Sequence, residues 1–214
     1  LYQKESKETD SSSTQDDTSE DKSVDDSEAG NMTVHFLDVG QGLSILVQSE
    51  GQTMIYDGGD RSTSSFVVSY LKEQNVSHAL INLGGNVLAL GGKPDGSDYN
   101  IGIQKPFAQN GEAITSVKIK DQSVVSSGIY ERYFKVDDKI YHHILDPKTG
   151  YPYENDLLGV SIVCDSSTEA DALSTTCFAI GLDDGLKYIE GIKGAEALFI
   201  TDDYEIHYSS GFPK

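Results

Sequence analysis

The clearest periodic pattern in the chain predicts a helix in its second half. Leu173, Cys177 and Ile180 recur at helical spacing, which indicates an apolar stripe that faces a core. Ser166 precedes an acidic residue by three positions, and this arrangement is typical of a capping box at a helix start. Gly181 stands where a glycine in the left-handed conformation would end the helix. The pattern therefore predicts one helix between Ser166 and Gly181.

This predicted helix carries two oxygen-bearing side chains that could bind a metal ion. Asp171 and Thr175 lie four positions apart, so both side chains leave the same face of the helix. A carboxylate and a hydroxyl are hard oxygen ligands of the kind that Mg²⁺ and Ca²⁺ prefer. The alternative is structural: Asp171 would interact with the helix dipole, and Thr175 would bond to the local backbone. The spacing alone favours this structural alternative.

Short apolar runs predict strands through most of the remaining chain. Strands interspersed with a few segregated helices favour an α+β fold that is rich in β structure. The two strands around Asp137-Asp138 should form a hairpin. The predicted strands are 33–38, 44–48, 52–56, 79–83, 87–90, 100–104, 116–120, 123–126, 130–136, 139–145, 158–164, 197–201 and 205–208.

Two more helices are predicted from capping residues and apolar periodicity. Ser64 or Ser65 is expected to cap the first, and Asp183 the second, which runs to Ile189. The first helix should pack through an apolar side made of Phe66, Val67, Tyr70 and Leu71.

The composition sets the start of the chain apart from the rest. Residues 1–30 hold ten acidic residues against three lysines and almost no apolar side chains, so residues 1–31 are expected to form a disordered acidic linker. The net charge of −19 argues against a sequence-independent nucleic-acid binder, because phosphate contacts need lysine and arginine. Cys164 and Cys177 lack metal-type spacing and are expected to be buried free thiols, although a disulfide between them stays open.

Four motifs follow one another in the second part of the chain, at residues 82–86, 127–134, 141–152 and 169–176. Together they resemble the ApbE family, the FAD:protein FMN transferases, over residues 78–214. The resemblance implies a β-rich, T-fold-like domain. It also implies a Mg²⁺-dependent reaction in which FMN is transferred from FAD to a threonine or serine of an acceptor flavoprotein, with release of AMP.

The resemblance also implies roles for particular residues. His143 would be catalytic, either accepting the proton of the acceptor hydroxyl or orienting the flavin; from the residues alone it reads as a half-exposed packing histidine. The residues implied to bind Mg²⁺ are Asp171, Ser174 and Thr175. The residues implied to contact FAD are Gly84, Gly85, Asn86, Ser127, Gly128 and Leu145. Asp146 is expected to stabilise the turn at Pro147.

Residues 32–77 resemble a different family. Residues 36–42 and 57–59 are similar to the opening strands of metallo-β-lactamase-fold proteins of the ComEC-like type. The zinc motif of that family does not follow, and only His35 and His78 precede the ApbE-like part, so we expect no zinc hydrolase activity. Residues 32–77 are therefore interpreted as a truncated segment of this fold, joined to an ApbE-like domain at 78–214.

Two functional hypotheses follow. The chain is either an FAD:protein FMN transferase, or a catalytically incompetent fusion or truncated product that retains part of a flavin pocket. The second hypothesis arises because residues 1–78 contain no match to the Asp-x-Gly-Gly-x-x-Lys-Gly-like segment of ApbE relatives. The acidic start also fits the tether of an exported lipoprotein, so we expect an extracytoplasmic bacterial protein with a possible N-terminal lipid anchor.

Overall fold

The computed structural model describes residues 32–40, 42–49, 52–59, 63–108 and 111–213. The expected disorder of residues 1–31 lies outside these residues and stays a prediction. Within the described residues, no helix is both long and apolar enough to cross a membrane. The elements in chain order are β1 (Met32–Phe36), β2 (Ile45–Ser49), β3 (Gln52–Tyr56), α1 (Ser64–Glu73), β4 (Ala79–Leu83), β5 (Asn86–Leu90), β6 (Tyr99–Gln104), β7 (Ala113–Ile119), β8 (Ser123–Gly128), β9 (Tyr133–Val136), β10 (Lys139–His142), β11 (Leu157–Cys164), α2 (Ser167–Ile180), α3 (Leu182–Ile189), β12 (Ala195–Thr201) and β13 (Ile206–Tyr208).

An antiparallel six-stranded sheet, in the order β13-β12-β11-β8-β5-β4, forms the centre of the fold. Alternate residues of its strands point to opposite faces. On one face, Val125 and Ile162 pack with the helices α2 and α3. On the other face, Val124 and Val163 pack with the β6–β7 hairpin. Every residue of β11 is buried, because this strand is covered on both faces. The α+β fold class is confirmed.

Helix α2 begins as predicted, but its apolar stripe is shorter than expected. The Ser166 hydroxyl accepts a hydrogen bond from the backbone N–H of Glu169, so the predicted cap is formed. Leu173 and Cys177 are buried, whereas Ile180 is 42% exposed. The prediction that Ile180 belongs to the core-facing stripe is wrong, because Ile180 is the last residue of the helix and lies at the rim of a surface cleft.

A single glycine, Gly181, separates α2 from α3, and the structure around it differs from the prediction in two respects. Gly181 has φ 86° and ψ 180°, an extended conformation of positive φ rather than the left-handed helical conformation expected. The same Gly181 is the N-cap of α3, so Asp183 is not the cap. Asp183 and Asp184 lie instead in the first turn, where their negative charge interacts favourably with the helix dipole.

The three-stranded sheet β1-β2-β3 packs against α1 through a separate apolar cluster. The N-cap of α1 is Thr63 rather than either predicted serine. Val67 and Leu71 are buried as expected, but Phe66 is 47% exposed, so the apolar side of the helix is narrower than predicted. The cluster also contains Ile81 of β4, so it extends across the boundary inferred between residues 77 and 78. The assignment of residues 32–77 to another family stays a prediction.

The hairpin at Asp137-Asp138 is confirmed, but its strands are shorter than predicted. Both aspartates have positive φ, 48° and 64°, as a two-residue hairpin turn requires. Strand β9 begins at Tyr133, and β10 ends at His142. Residues 143–145 therefore lie beyond the strand, next to a turn that contains Pro147.

Both cysteines are buried free thiols, as expected. Burial raises the pKa of Cys177 to about 11, so its thiol is unreactive near neutral pH.

Candidate functional site

A surface cleft of about 610 Å³ joins the segment after β10 to the exposed side of α2. Two of the residues singled out in the 141–152 motif, His143 and Leu145, line it from one side. Thr175 lines it from α2. The fold therefore brings together three predicted site residues from two separate parts of the chain, the segment after β10 and the helix α2.

A cluster of hydroxyl groups lies beside the cleft, between β8 and α2. The Oγ atom of Ser127 is 2.8 Å from Ser174 Oγ and 3.1 Å from Thr175 Oγ1. The backbone oxygen of Asp171 accepts from Ser174 Oγ at 3.0 Å and lies 3.4 Å from Thr175 Oγ1. Ser174 is fully buried, whereas Thr175 is exposed. Four of the predicted residues thus share one hydrogen-bond network.

The oxygen atoms of this cluster suit a hard cation. The described residues contain no group of three or more histidine, cysteine, aspartate or glutamate side chains that could hold a metal ion. A cation here would therefore rely on the carboxylate of Asp171 and the hydroxyl of Thr175, with its other ligands from water or a phosphate. Mg²⁺ is commonly bound in this way, through one or two carboxylates and substrate phosphates. The donor set fits Mg²⁺ better than a metal that prefers nitrogen or sulfur.

The two adjacent histidines differ in how many of their ring nitrogens form hydrogen bonds. In His142, Nε2–H donates to the backbone oxygen of Tyr153 at 3.1 Å, and Nδ1 accepts from the backbone N–H of Ile144 at 3.3 Å. In His143, Nδ1–H donates to the backbone oxygen of Arg132 at 3.2 Å, because a carbonyl can only accept. His143 is exposed and keeps Nε2 as its basic nitrogen. Of the two, only His143 can accept a proton without breaking one of these bonds.

The burial of His142 has an electrostatic consequence. Desolvation lowers the pKa of His142 below 6.5, the hydrogen bond to Tyr153 opposes this, and the neighbouring His143 lowers it further. The ring of His142 also packs edge-on against Phe178 of α2, with 5.7 Å between ring centroids. His142 is therefore a neutral structural residue that joins the 141–152 motif to the helix.

The glycine-containing motif 82–86 lies at the other end of α2. Gly84 and Gly85 form the tip of the β4–β5 hairpin, with φ values of 61° and 95°. Asn86 is buried, and its side-chain oxygen accepts a 2.7 Å hydrogen bond from the hydroxyl of Ser167. None of Gly84, Gly85 and Asn86 is among the residues described as lining the cleft beside Thr175. Their predicted contact with FAD stays a prediction.

Gly128 has a packing reason to be glycine. A Cβ atom at this position would lie 2.3 Å from Cε1 of Tyr130, so the ring covers the backbone there. Gly128 pairs with Gly159 on β11, where a Cβ would also approach the same ring at 3.3 Å. Burial, with a smaller effect of Glu131, raises the pKa of Tyr130 to about 12.

Several residues that line the cleft were missed. Ala172 and Thr176 stand three positions before and one position after Thr175, so helical spacing could have found Ala172. Tyr153 reaches the cleft because Leu145 pairs with Pro152 in a local bridge, and no sequence signal marks this pairing. The predicted turn role of Asp146 is confirmed: its carboxylate accepts from the backbone N–H of Lys148 at 2.9 Å.

The ApbE family model matches residues 64–199, which is more than half of the chain. The chain belongs to the ApbE family. This assignment agrees with the four motifs and with the juxtaposition of the 141–152 motif and α2. The matched region begins at α1, before the boundary inferred from the sequence.

The curated relatives of this ApbE-family chain are named FAD:protein FMN transferases, and two of them illustrate the similarity. The protein from Klebsiella pneumoniae (strain 342) is 43% identical over 144 residues, which cover 67% of this chain and 44% of the relative. The protein from Treponema pallidum (strain Nichols) is 39% identical over 153 residues, covering 68% of this chain and 42% of the relative. The chain thus spans less than half the length of these relatives.

Solved ApbE structures show the same fold. The apo form of the flavinyl transferase ApbE from Pseudomonas stutzeri superposes with a TM-score of 0.56 at 33% identity, covering 68% of this chain and 45% of that one. The ApbE protein from Thermotoga maritima superposes with a TM-score of 0.58 at 29% identity, covering 85% of this chain and 59% of that one.

Proposed function

We propose that the chain acts as an FAD:protein FMN transferase, which moves FMN from FAD to a threonine or serine hydroxyl of an acceptor flavoprotein. The observation that carries this proposal is that His143 and Thr175, from separate elements, line one cleft next to a cluster of hydroxyl groups. The FAD:protein FMN transferases among the relatives support the reaction class.

The reaction is a phosphoryl transfer. The oxygen of the acceptor hydroxyl attacks the phosphorus of the FMN half of FAD, a new P–O bond forms, and the P–O bond to the AMP half breaks. AMP leaves with the electron pair of that bond, and the acceptor hydroxyl loses its proton. Such reactions depend mainly on positioning and on neutralising the charge of the phosphates.

His143 is proposed to receive the proton of the acceptor hydroxyl at Nε2. Its Nδ1–H group donates to the Arg132 carbonyl, which fixes the ring and leaves Nε2 as the basic nitrogen. The backbone N–H of His143 donates to the same carbonyl at 3.2 Å, so the residue is held at two atoms. The buried His142 is occupied at both nitrogens and has no such role.

Asp171 and Thr175 are proposed to hold Mg²⁺. When bound, the cation would supply positive charge to the phosphate oxygens of FAD and stabilise the charge that develops as the bond to AMP breaks. Ser174 was also implied as a ligand; its burial and its bond to Ser127 favour a supporting role. Leu145 is proposed to contact FAD from the rim of the cleft, where it is 51% exposed.

One observation favours the alternative that the cleft binds flavin without turnover. The cation site draws on a single carboxylate, and the described residues contain no larger metal-binding cluster. A site of this kind would bind Mg²⁺ weakly unless the phosphates of FAD complete it. Membrane tethering through an N-terminal lipid anchor, and an extracytoplasmic location, remain part of the proposal.

Intact-mass analysis of an acceptor flavoprotein, incubated with this chain, FAD and Mg²⁺, tests the proposal. We expect the acceptor to gain the mass of one phosphoester-linked FMN, and a variant whose target threonine is alanine to gain none. His143→Ala should slow the transfer by about 10²- to 10⁴-fold, the usual contribution of a general base. His207→Ala, a histidine on β13, is the matched control and should leave the rate unchanged. Binding of FAD without any mass gain would instead support the alternative.

A further inference from the structure

The hydroxyl cluster contains more contacts than protons. Its three hydroxyl groups, of Ser127, Ser174 and Thr175, carry one proton each. They take part in four contacts: Ser127–Ser174 at 2.8 Å, Ser174–Asp171 O at 3.0 Å, Ser127–Thr175 at 3.1 Å and Thr175–Asp171 O at 3.4 Å. At most three of the four contacts can therefore be two-centre hydrogen bonds, and the longest contact, at 3.4 Å, is the weakest.

When the three protons occupy the three shorter contacts, the direction of each hydrogen bond follows. The backbone oxygen of Asp171 can only accept, so Ser174 must donate to it. Because the Ser174 proton is then used, Ser127 must donate to Ser174. Because the Ser127 proton is then used as well, Thr175 must donate to Ser127. The order of donation is Thr175 to Ser127, Ser127 to Ser174, and Ser174 to the Asp171 carbonyl.

We infer that Ser127 is a positioning residue that accepts the proton of Thr175 and so leaves the lone pairs of Thr175 Oγ1 available to a divalent cation. The inference rests on the proposed function and concerns the same site. It assigns Ser174 to relaying the hydrogen bonds, because its buried hydroxyl is already committed at both contacts. Such outer residues orient metal ligands and set the strength of binding.

The register of β8 explains why only one of its last two serines can do this. Ser127 lies on the same face of the strand as Val125, which packs with α2. Ser126 points to the opposite face, where its hydroxyl bonds to that of Ser161 at 2.7 Å. Ser126 therefore provides a matched control, in the same strand and with a similar hydroxyl–hydroxyl bond, that does not touch α2.

Titration of the protein with Mn²⁺, followed by electron paramagnetic resonance of the free ion, tests this inference without any catalytic readout. Ser127→Ala should weaken Mn²⁺ binding by about tenfold, the lower end of the effect of losing a partner of a metal ligand. Ser126→Ala should change the Mn²⁺ affinity by less than about twofold, although this variant loses a hydrogen bond of the same kind. The pair Ser127→Thr and Ser127→Val, which have nearly the same shape, gives a second comparison. Only the threonine variant should keep the affinity of the wild-type protein.

The outcomes separate the two proposals. Equal Mn²⁺ affinity in Ser127→Ala and Ser126→Ala, or in the threonine and valine variants, would overturn the role of Ser127 while leaving the cation site intact. Wild-type protein that binds no Mn²⁺, with or without FAD, would overturn the proposed cation site and this inference with it. Should Ser127→Ala fail to fold, the threonine and valine variants decide the question.

Discussion

The side-chain oxygen of Asn86 accepts a 2.7 Å hydrogen bond from the hydroxyl of Ser167, the first residue of α2. Both side chains are buried, and 81 positions separate them in the chain. The bond joins the hairpin motif at residues 82–86 to the helix that carries Asp171 and Thr175. Part of this family motif therefore positions the helix, whatever contact its glycines make with a ligand.

Asn86→Ala should reduce the free energy of unfolding by about 1–3 kcal/mol, because it leaves the buried Ser167 hydroxyl without its acceptor. Urea unfolding of the wild-type protein, both single variants and the Asn86→Ala/Ser167→Ala double variant measures the coupling, which should be at least about 0.5 kcal/mol. Asn100→Ala, an exposed position on β6, is the matched control. Additive effects at the two positions would show that the bond does not stabilise the fold.

Gly128→Ala should destabilise the protein by about 1–3 kcal/mol, because the new methyl group would lie 2.3 Å from the ring of Tyr130. Because the clash is mainly with the Tyr130 ring, Gly128→Ala should lower the free energy of unfolding by less in a Tyr130→Leu background. Thermal unfolding of the four proteins measures this difference. An equal cost in both backgrounds would mean that something other than the ring requires glycine here.

His142 should make the protein less stable as the pH falls. Burial lowers the pKa of folded His142 below 6.5, so the unfolded chain binds a proton first. The free energy of unfolding is therefore highest above pH 6.5 and falls as the pH drops from there through the pKa of the folded state. His142→Gln should flatten this part of the profile in urea unfolding between about pH 5 and 8. An unchanged slope in the variant would contradict the account.

The sequence was most informative where structure is local. The N-cap at Ser166 and the hairpin turn at Asp137-Asp138 each depend on residues within a few positions, and both formed as predicted. The end of α2 was less predictable, because Gly181 serves two helices at once. The bond between Asn86 and Ser167 was not predictable at all, since no periodicity links distant residues.

In the candidate site, too, the local motifs were predictable and the long-range contacts between them were not. The motifs identified His143 and Thr175 separately, and only the packing of the segment after β10 against α2 places them on one cleft. The preference for His143 over His142 came from family resemblance; the hydrogen bonds supply its physical reason, because both nitrogens of His142 are occupied. The network around Ser127 depends on the register of β8 with β11, which the sequence does not encode locally.

The central claim is that Asp171 and Thr175 form a Mg²⁺ site that serves FAD. Thermal unfolding with and without Mg²⁺, in the presence of FAD, tests it most directly, because a ligand of the native state raises the unfolding midpoint by mass action. At a Mg²⁺ concentration of about 100 Kd the wild-type protein should gain about 2.7 kcal/mol, or roughly 5–11 °C at about 2–4 °C per kcal/mol. Asp183→Asn, in the first turn of α3, is the matched control.

Asp171→Asn should lose most of this response, because it removes the charge while keeping the size of the side chain. Thr175→Val should lose less, since it removes one neutral oxygen. If Asp171 were only structural, its substitution would cost a few tenths to about 1 kcal/mol through the helix dipole and leave the Mg²⁺ response unchanged. The account predicts a midpoint that rises with Mg²⁺ in the wild-type protein and in Asp183→Asn but barely in Asp171→Asn; a wild-type midpoint indifferent to Mg²⁺, with and without FAD, would contradict it.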